Sequence, residues 1–180
     1  MDRIWLNNVQ TWMTTTHQWV IGFHYVPCPF DYSNKTITQQ LTEVYTALKT
    51  FYSPDEPPKI HMDVEEFVTC FGAHQFYSNA MQNIDMLKEA IKTWNDLIDW
   101  PFDRDAGNVF TKKSSWDNLM NGTTQFKKSG VWYSRLNGKD TFDDWVDFGG
   151  WTKGNVVGKQ YQQNVDWFGC GPKVDQNIII

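Results

Sequence analysis

The sequence predicts a mainly α-helical protein, with a helical body over residues 4–127 and an irregular, Gly- and Trp-rich region over residues 128–180 that contains short strands. Two observations lead to this fold class. Before residue 127, apolar residues recur at spacings of three and four, which is the helical period. After residue 128 that period stops, and glycine and aromatic residues dominate. Because no linker, repeat or low-complexity block divides the 180 residues, we expect a single domain.

The clearest helix is expected from about Thr36 to Phe51, after a less sharply bounded helix within residues 4–20. Thr36 and Gln39 have the spacing of a capping box, in which the two side chains satisfy free amides of the first turn. A proline-rich segment after Phe51 ends the helix. One stripe of this helix is apolar, formed by Ile37, Leu41, Val44, Tyr45, Leu48 and Phe51.

Three further helices are expected before residue 127. Asp63 and Glu66 are placed to open a short helix that Gly72 limits. A longer helix over about 79–99 is predicted to pack its apolar seam against the stripe of the 36–51 helix. The last helix is expected over about 115–127, although Gly122 in its middle costs about 1 kcal/mol relative to Ala.

Composition excludes several classes of protein. No apolar run approaches the roughly 20 residues that span a bilayer. The N-terminal segment has neither the apolar core nor the cleavage pattern of a signal peptide, so none is expected. Cys28, Cys70 and Cys170 are few, odd in number and far apart, which argues against a disulfide framework and for a reducing compartment.

Charge is distributed unevenly along the chain. The net charge is −5, yet residues 104–139 carry seven basic side chains against only Asp105 and Asp117. A local basic segment in an acidic chain is typical of phosphate binding, and the alternative is a solvated surface.

No group of residues forms a recognisable catalytic motif. Cys28 lies four residues after His24, but prolines on both sides of Cys28 break any helical alignment of the pair. His61 and Asp63 could be two ligands of a metal ion, but no second histidine lies at a spacing that would complete the site. The cluster of Asp143, Asp144 and Asp147 is more typical of a solvated turn than of an acid–base pair. The sequence therefore predicts a non-enzymatic protein without a catalytic residue, metal ligand or cofactor.

Two alternative functions stay open from the residues alone. Aromatic side chains that could form a platform for sugar rings are Trp132, Trp145, Trp151 and Trp167, which would make the protein a carbohydrate- or ligand-binding module. A small hydrolase that uses Cys28 or an aspartate is the second alternative.

Four short pieces, in order, resemble the coat proteins of rod-shaped single-stranded RNA viruses, the tobacco-mosaic-like group. They span about residues 36–151. The chain departs from that family in lacking its paired acids after the basic pair. The matching pieces are Thr38-Gln39-Gln40 leading to Phe51; Pro101-Phe102-Asp103-Arg104; Thr111-Lys112-Lys113; and Gly130, Tyr133-Ser134-Arg135, Phe142-Asp143 and Trp151.

The resemblance implies a four-helix bundle whose copies assemble helically around single-stranded RNA. It implies a structural capsid protein, located in the virion and the host cytoplasm, whose partners are further copies of itself and RNA but no membrane. Neutralising phosphates needs only a few basic residues in each copy. The RNA-binding residues implied are Arg104, Lys112, Lys113, Thr38, Gln39 and Gln40.

Overall fold

A computed structural model describes residues 23–29, 33–49, 59–66, 69–70, 73–74, 76–99, 107–166 and 174–180. The helices in this part of the chain are α1 (Ile37–Leu48), α2 (Ala80–Leu97), α3 (Lys113–Met120) and a 3-10 turn (Lys153–Asn155). The strands are β1 (Phe23–Tyr25), β2 (Ile60–Val64), β3 (Thr69–Cys70), β4 (Ala73–His74), β5 (Gly107–Thr111), β6 (Val131–Ser134), β7 (Val156–Val165) and β8 (Val174–Ile179).

The dominant element is a six-stranded sheet in the order β1-β2-β5-β6-β7-β8. Within this sheet, neighbouring strands from β1 through β2, β5 and β6 to β7 run parallel, and β8 is antiparallel to β7. β3 and β4 pair antiparallel in a separate two-stranded sheet. α1 connects β1 to β2, α2 lies between β2 and β5, and α3 connects β5 to β6, as parallel pairing requires. The carboxyl ends of the five parallel strands therefore meet at one edge of the sheet, which is where α/β folds place their ligands.

The prediction of a mainly α, four-helix bundle is wrong, because a curled mixed sheet forms the centre of the fold and the described residues contain three α-helices. Residues 60–64 form β2, a strand buried in the sheet, rather than the expected helix opened by Asp63. Five-residue strands buried in a parallel sheet give too short an apolar run to distinguish them from a helix segment. The helix expected within residues 4–20 lies outside the described residues.

Two of the predicted helices are confirmed in place. α1 has the expected capping box between Thr36 and Gln39, and Asn79 caps α2 by accepting a hydrogen bond from the amide of Met81. The two helices pack together as expected, with the Tyr45 and Trp94 rings in edge contact at 6.1 Å between centroids. α3 begins earlier and is shorter than predicted, because Asn121 and Gly122 adopt positive φ and end it.

The two faces of the sheet have different neighbours. On one face, alternate residues of the strands form a buried apolar core with α1, α2 and α3. On the opposite face, the register places His61 beside His24 and places Phe110 between Asp63 and Trp132. This second face, with its polar and aromatic side chains, leads to the carboxyl ends of the strands.

The C-terminal part of the described chain is ordered by buried aromatic and polar contacts. The Trp116 and Trp151 rings lie 4.5 Å apart, and both side chains are fully buried. The indole nitrogen of Trp151 donates to the carbonyl oxygens of Phe126 and Ser129, each at 3.0 Å.

None of the helices in the described part of the chain combines the length and apolar character that a membrane span requires. That the chain is a single domain stays a prediction.

Candidate active site

Two carboxyl groups lie at the carboxyl end of β2. Asp63 is the fourth residue of the strand and Glu65 follows directly after its end, and both line one cleft of about 860 Å³. Residues two apart in a strand point to the same face, with Cα atoms about 6.6 Å apart. Asp63, Val64 and Glu65 therefore form an Asp-x-Glu pattern that directs two carboxyl groups into the same space.

Both carboxyl groups hold their protons more tightly than ordinary ones. Burial, with the negative charge of Glu65, raises the pKa of Asp63 to about 7. Burial also raises the pKa of Glu65; the positive charge of Lys112 acts against this, and Asp175 and Glu66 add to it. Near neutral pH the pair therefore shares protonated and ionised states, as an acid–base pair requires.

The far wall of the cleft is held in place by hydrogen bonds to β8. The Asp175 carboxylate accepts from the Gln160 amide at 2.7 Å and from the Asn164 backbone N–H at 2.9 Å. Asn177, two residues later on the same strand, accepts from the Trp132 indole nitrogen at 3.2 Å. These bonds fix polar groups opposite the Asp63–Glu65 pair.

An aromatic side chain from β6 forms one side of the cleft. Trp132 meets the rings of His24 and His61 edge-on, with centroids 5.5 Å and 4.9 Å away. Gly158 makes room for it, since a Cβ there would lie 2.7 Å from the indole ring. A fixed indole in a polar cleft is suited to packing against the apolar face of a sugar ring.

Two histidines lie on the same face of the sheet. Burial, with the positive charges of His24 and Lys59, lowers the pKa of His61 to about 3, so its imidazole is neutral at physiological pH. Desolvation also lowers the pKa of His24, although the charge of Asp175 acts in the other direction. Within the described residues, no group of three or more His, Cys, Asp and Glu side chains is arranged to hold a metal ion.

The residues predicted to bind RNA do not form one surface in the described part of the chain. Lys112 lines the cleft, and Lys113 begins α3 and forms an ion pair with Asp117. Thr38 contacts Thr93 on α2, away from the strand ends. Gln39 caps α1, Gln40 hydrogen-bonds the Cys28 carbonyl oxygen and Tyr25 hydroxyl, and Arg104 lies outside the described residues.

Cys28 is disulfide-bonded, which counts against the reducing compartment expected from the few, odd and widely spaced cysteines. The disulfide leaves no thiolate, which removes the hydrolase alternative that uses Cys28 as its nucleophile. The side chains of Cys70 and Cys170, the other cysteines, are outside the described set.

The predicted tryptophan platform is divided. Trp132 lines the cleft, Trp145 lines a neighbouring pocket and Trp151 is fully buried in the core. Trp167 lies outside the described residues. The three described indoles therefore do not form the predicted platform together, because Trp151 is buried in the core.

Sequence reasoning noticed Asp63 but missed its partnership with Glu65. The available signal was the Asp-x-Glu pattern after three residues, Ile60, His61 and Met62, that alternate in polarity. In a strand, this pattern places both carboxyl groups on one face of the sheet. In a helix, the same two residues lie about 200° apart around the helix axis.

Three curated relatives share sequence with part of the chain. "Probable GH family 25 lysozyme 5" of Dictyostelium discoideum is 32% identical over 69 residues, which are 38% of this chain and 30% of the relative. "Probable GH family 25 lysozyme 4" of the same organism is 36% identical over 69 residues, again 30% of its length. The similarity thus spans less than a third of the length of these relatives.

Solved structures share the fold over nearly the whole chain. The family GH25 lysozyme from Aspergillus fumigatus superposes with a TM-score of 0.65 at 14% identity, covering 97% of this chain and 74% of that chain. The muramidase from Acremonium alcalophilum gives a TM-score of 0.64 at 14% identity, covering 96% of this chain and 74% of that chain. At these identities the likeness establishes the fold.

These findings overturn the identification with virus coat proteins and the functions derived from it. The predicted capsid protein, its self-assembly around RNA and its location in a virion and host cytoplasm are wrong, because the similarities are to lysozymes. The prediction of a non-enzymatic protein is wrong as well, since those relatives and structural neighbours are enzymes. The family described as lysozyme-like protein 1 matches residues 1–161, and the chain belongs to that family.

Proposed function

We propose that the chain is a glycoside hydrolase that cleaves the glycan of peptidoglycan, with Asp63 and Glu65 as the catalytic pair. The observation that carries this proposal is the presence of two carboxyl groups with raised pKa in one cleft, at the carboxyl end of a parallel strand. Membership of a lysozyme-like family and the fold shared with muramidases support the choice of substrate.

Glycoside hydrolysis needs one protonated and one ionised carboxyl group beside the scissile bond. The protonated member of the pair donates its proton to the glycosidic oxygen as the bond to the anomeric carbon breaks. The ionised member stabilises the positive charge that develops on the sugar. Water then adds to the anomeric carbon, and the proton that it releases returns to the pair, which restores the starting state.

The other cleft residues position the sugar. Trp132 offers an aromatic surface, and its hydrogen bond to Asn177 fixes the indole before substrate arrives. The neutral imidazole of His24 can donate one hydrogen bond and accept another from hydroxyl or acetamido groups. Lys112, whose charge acts on Glu65, favours the ionised state of that carboxyl group.

The proposal predicts that the purified chain releases new reducing ends from peptidoglycan. Turbidity of a cell-wall suspension and reducing-sugar release are the two measurements. Released fragments should end in muramic acid if the chain shares the bond specificity of the muramidases. Binding to the glycan without any release would instead favour a carbohydrate-binding module, and would contradict the proposed activity.

Activity should depend on pH through the raised pKa of the pair. Because Asp63 has a pKa of about 7, kcat/KM should fall as pH rises above about 7, where the pair loses the proton that it must donate. On the acid side, kcat/KM should fall again when both carboxyl groups are protonated. The test is kcat/KM measured from about pH 4 to about pH 9. A rate that stays constant through neutral and alkaline pH would show that neither carboxyl group is the proton donor.

A further inference from the structure

A second pocket of about 330 Å³ adjoins the catalytic cleft. Lys112 and Ser134 line both spaces, so the pocket continues the cleft past the carboxyl ends of β5 and β6. A substituent on a sugar bound in the cleft can therefore reach the pocket without leaving the protein surface.

The pocket carries positive charge from neighbouring elements. Lys112 and Lys113 come from the start of α3, and Arg135 follows the end of β6. The Lys113 and Arg135 side chains are 55% and 51% exposed, so solvent and ligand can reach both cations. Their protein partners, Asp117 and Asp144, leave part of each cation accessible.

Among the described residues that line this pocket, Asp144 is the acidic side chain, and its charge is already satisfied. The fully buried Lys159 ammonium donates to the Asp144 carboxylate at 2.9 Å. The Tyr133 hydroxyl and the Asn137 amide also donate to it, at 2.8 Å and 2.6 Å. The charge offered to a ligand is therefore that of the cations.

Apolar side chains form another part of the pocket wall. The Trp145 and Phe148 rings lie 5.3 Å apart, and Trp145 is steadied by its hydrogen bond to Asp147. Val146 is 58% exposed and Leu136, on the cleft side, is 52% exposed. Exposed apolar side chains beside cations suit a ligand with both a hydrocarbon part and an anionic end.

We propose that this pocket is a subsite for a carboxylate-bearing peptide attached to the glycan in the cleft. The inference rests on the proposed function, because the glycan of peptidoglycan carries such peptides on its muramic acid. The cations contact the carboxylates, and the Trp145–Phe148 surface packs against the peptide. The chain then prefers peptide-bearing glycan to unsubstituted N-acetylglucosamine oligomers.

Binding of an N-acetylmuramyl dipeptide tests the subsite without catalysis, because this compound has no glycosidic bond to an adjacent sugar. The native chain should bind the form with free carboxylates about fivefold more tightly than the form with amidated carboxylates, which corresponds to the loss of one exposed ion pair. Raising the salt concentration should reduce that difference, since exposed charges are screened. Titration calorimetry gives both affinities.

Lys113→Glu should abolish the preference, whereas Lys92→Glu should leave it unchanged. The two lysines are matched, because each is exposed on a helix and forms an ion pair with an aspartate four residues later. Lys92 lies on α2, outside both pockets described above. Equal affinities for the two dipeptide forms, or a Lys113→Glu variant that keeps the native preference, would overturn the subsite.

The outcome also separates the subsite from the proposed function. Hydrolysis of peptidoglycan without a preference between the dipeptide forms would remove the subsite and leave the activity standing. A clear preference, lost in Lys113→Glu, in a chain that releases no reducing ends would establish the anion site and remove the hydrolase. Each result counts for or against one of the two claims.

Discussion

Asp63→Asn and Glu65→Gln are each expected to lower kcat for peptidoglycan hydrolysis by about 10²–10⁴-fold. Each amide keeps the shape of the side chain but can neither donate the carboxylic proton nor carry the negative charge. Because the two groups act as one pair, the double variant should lose little more than the more damaging single change. Reducing-end release under substrate saturation measures these rates, and circular dichroism checks that the variants fold.

Glu66→Gln is the matched control, since it makes the same chemical change one residue further along. The Glu66 carboxylate accepts hydrogen bonds from Asn118 at 2.7 Å and Ser115 at 3.4 Å, both on α3, and so faces away from the cleft. Its rate should stay within about threefold of the native rate. Equal losses at Glu65 and Glu66, or full activity in Asp63→Asn, would contradict the assignment.

An aryl glycoside with a good leaving group separates the two roles within the pair. Such a leaving group departs without protonation, so the variant that lacks the proton donor should recover much of its rate on this substrate. The variant that lacks the charge-stabilising carboxylate should stay slow on both substrates. This comparison assigns donor and stabiliser between Asp63 and Glu65, whose titrations are coupled because, in addition to burial, the charge of Glu65 raises the pKa of Asp63.

The helices were predictable and the sheet was not, for a physical reason. α1 and α2 each expose one face and bury the other, so their apolar residues recur with a period of 3.6 residues. The capping residues Thr36 and Asn79 also indicate where these helices begin. β2 and β5 are five residues long and lie inside the sheet, so they leave no comparable period. The pairing between them joins residues almost 50 positions apart, as in Ile60 with Gly107.

The candidate site depended on the same missing information. Its residues come from all six strands of the main sheet, so that Asp175 and Asp63 line one cleft only after the strands have assembled. The sequence shows the basic segment from 104 to 139, but only the structure shows that Lys112 and Arg135 line pockets beside the strand ends. Short matches to coat proteins compared sequence order, and could not test this spatial arrangement.

Lys159→Met should lower the free energy of unfolding by about 3–5 kcal/mol, because it removes one partner of a buried ion pair and leaves the other. The Lys159 side chain is fully buried, and its ammonium donates to the carbonyl oxygens of Lys139 and Thr141 at 2.7 Å and 2.9 Å, as well as to Asp144. Urea unfolding at neutral pH measures the loss. Lys153→Met is the control, since Lys153 and its partner Asp143 are 61% and 86% exposed, and it should cost less than about 1 kcal/mol.

The pH dependence of the Lys159→Met effect identifies the ion pair as its cause. Burial acts to raise the pKa of Asp144, but hydrogen bonds from Lys159, Tyr133 and Asn137 outweigh it and hold that pKa below its ordinary value. A carboxyl group with a lowered pKa stabilises the fold above its unfolded-state pKa, and this contribution disappears as pH falls through the folded-state pKa. The native chain should therefore lose stability in acid more steeply than Lys159→Met does. Adding Asp144→Asn to Lys159→Met should recover part of the lost stability at neutral pH, because no unpaired charge then stays buried. If the double variant is less stable than Lys159→Met, the loss comes from packing of the lysine stem instead.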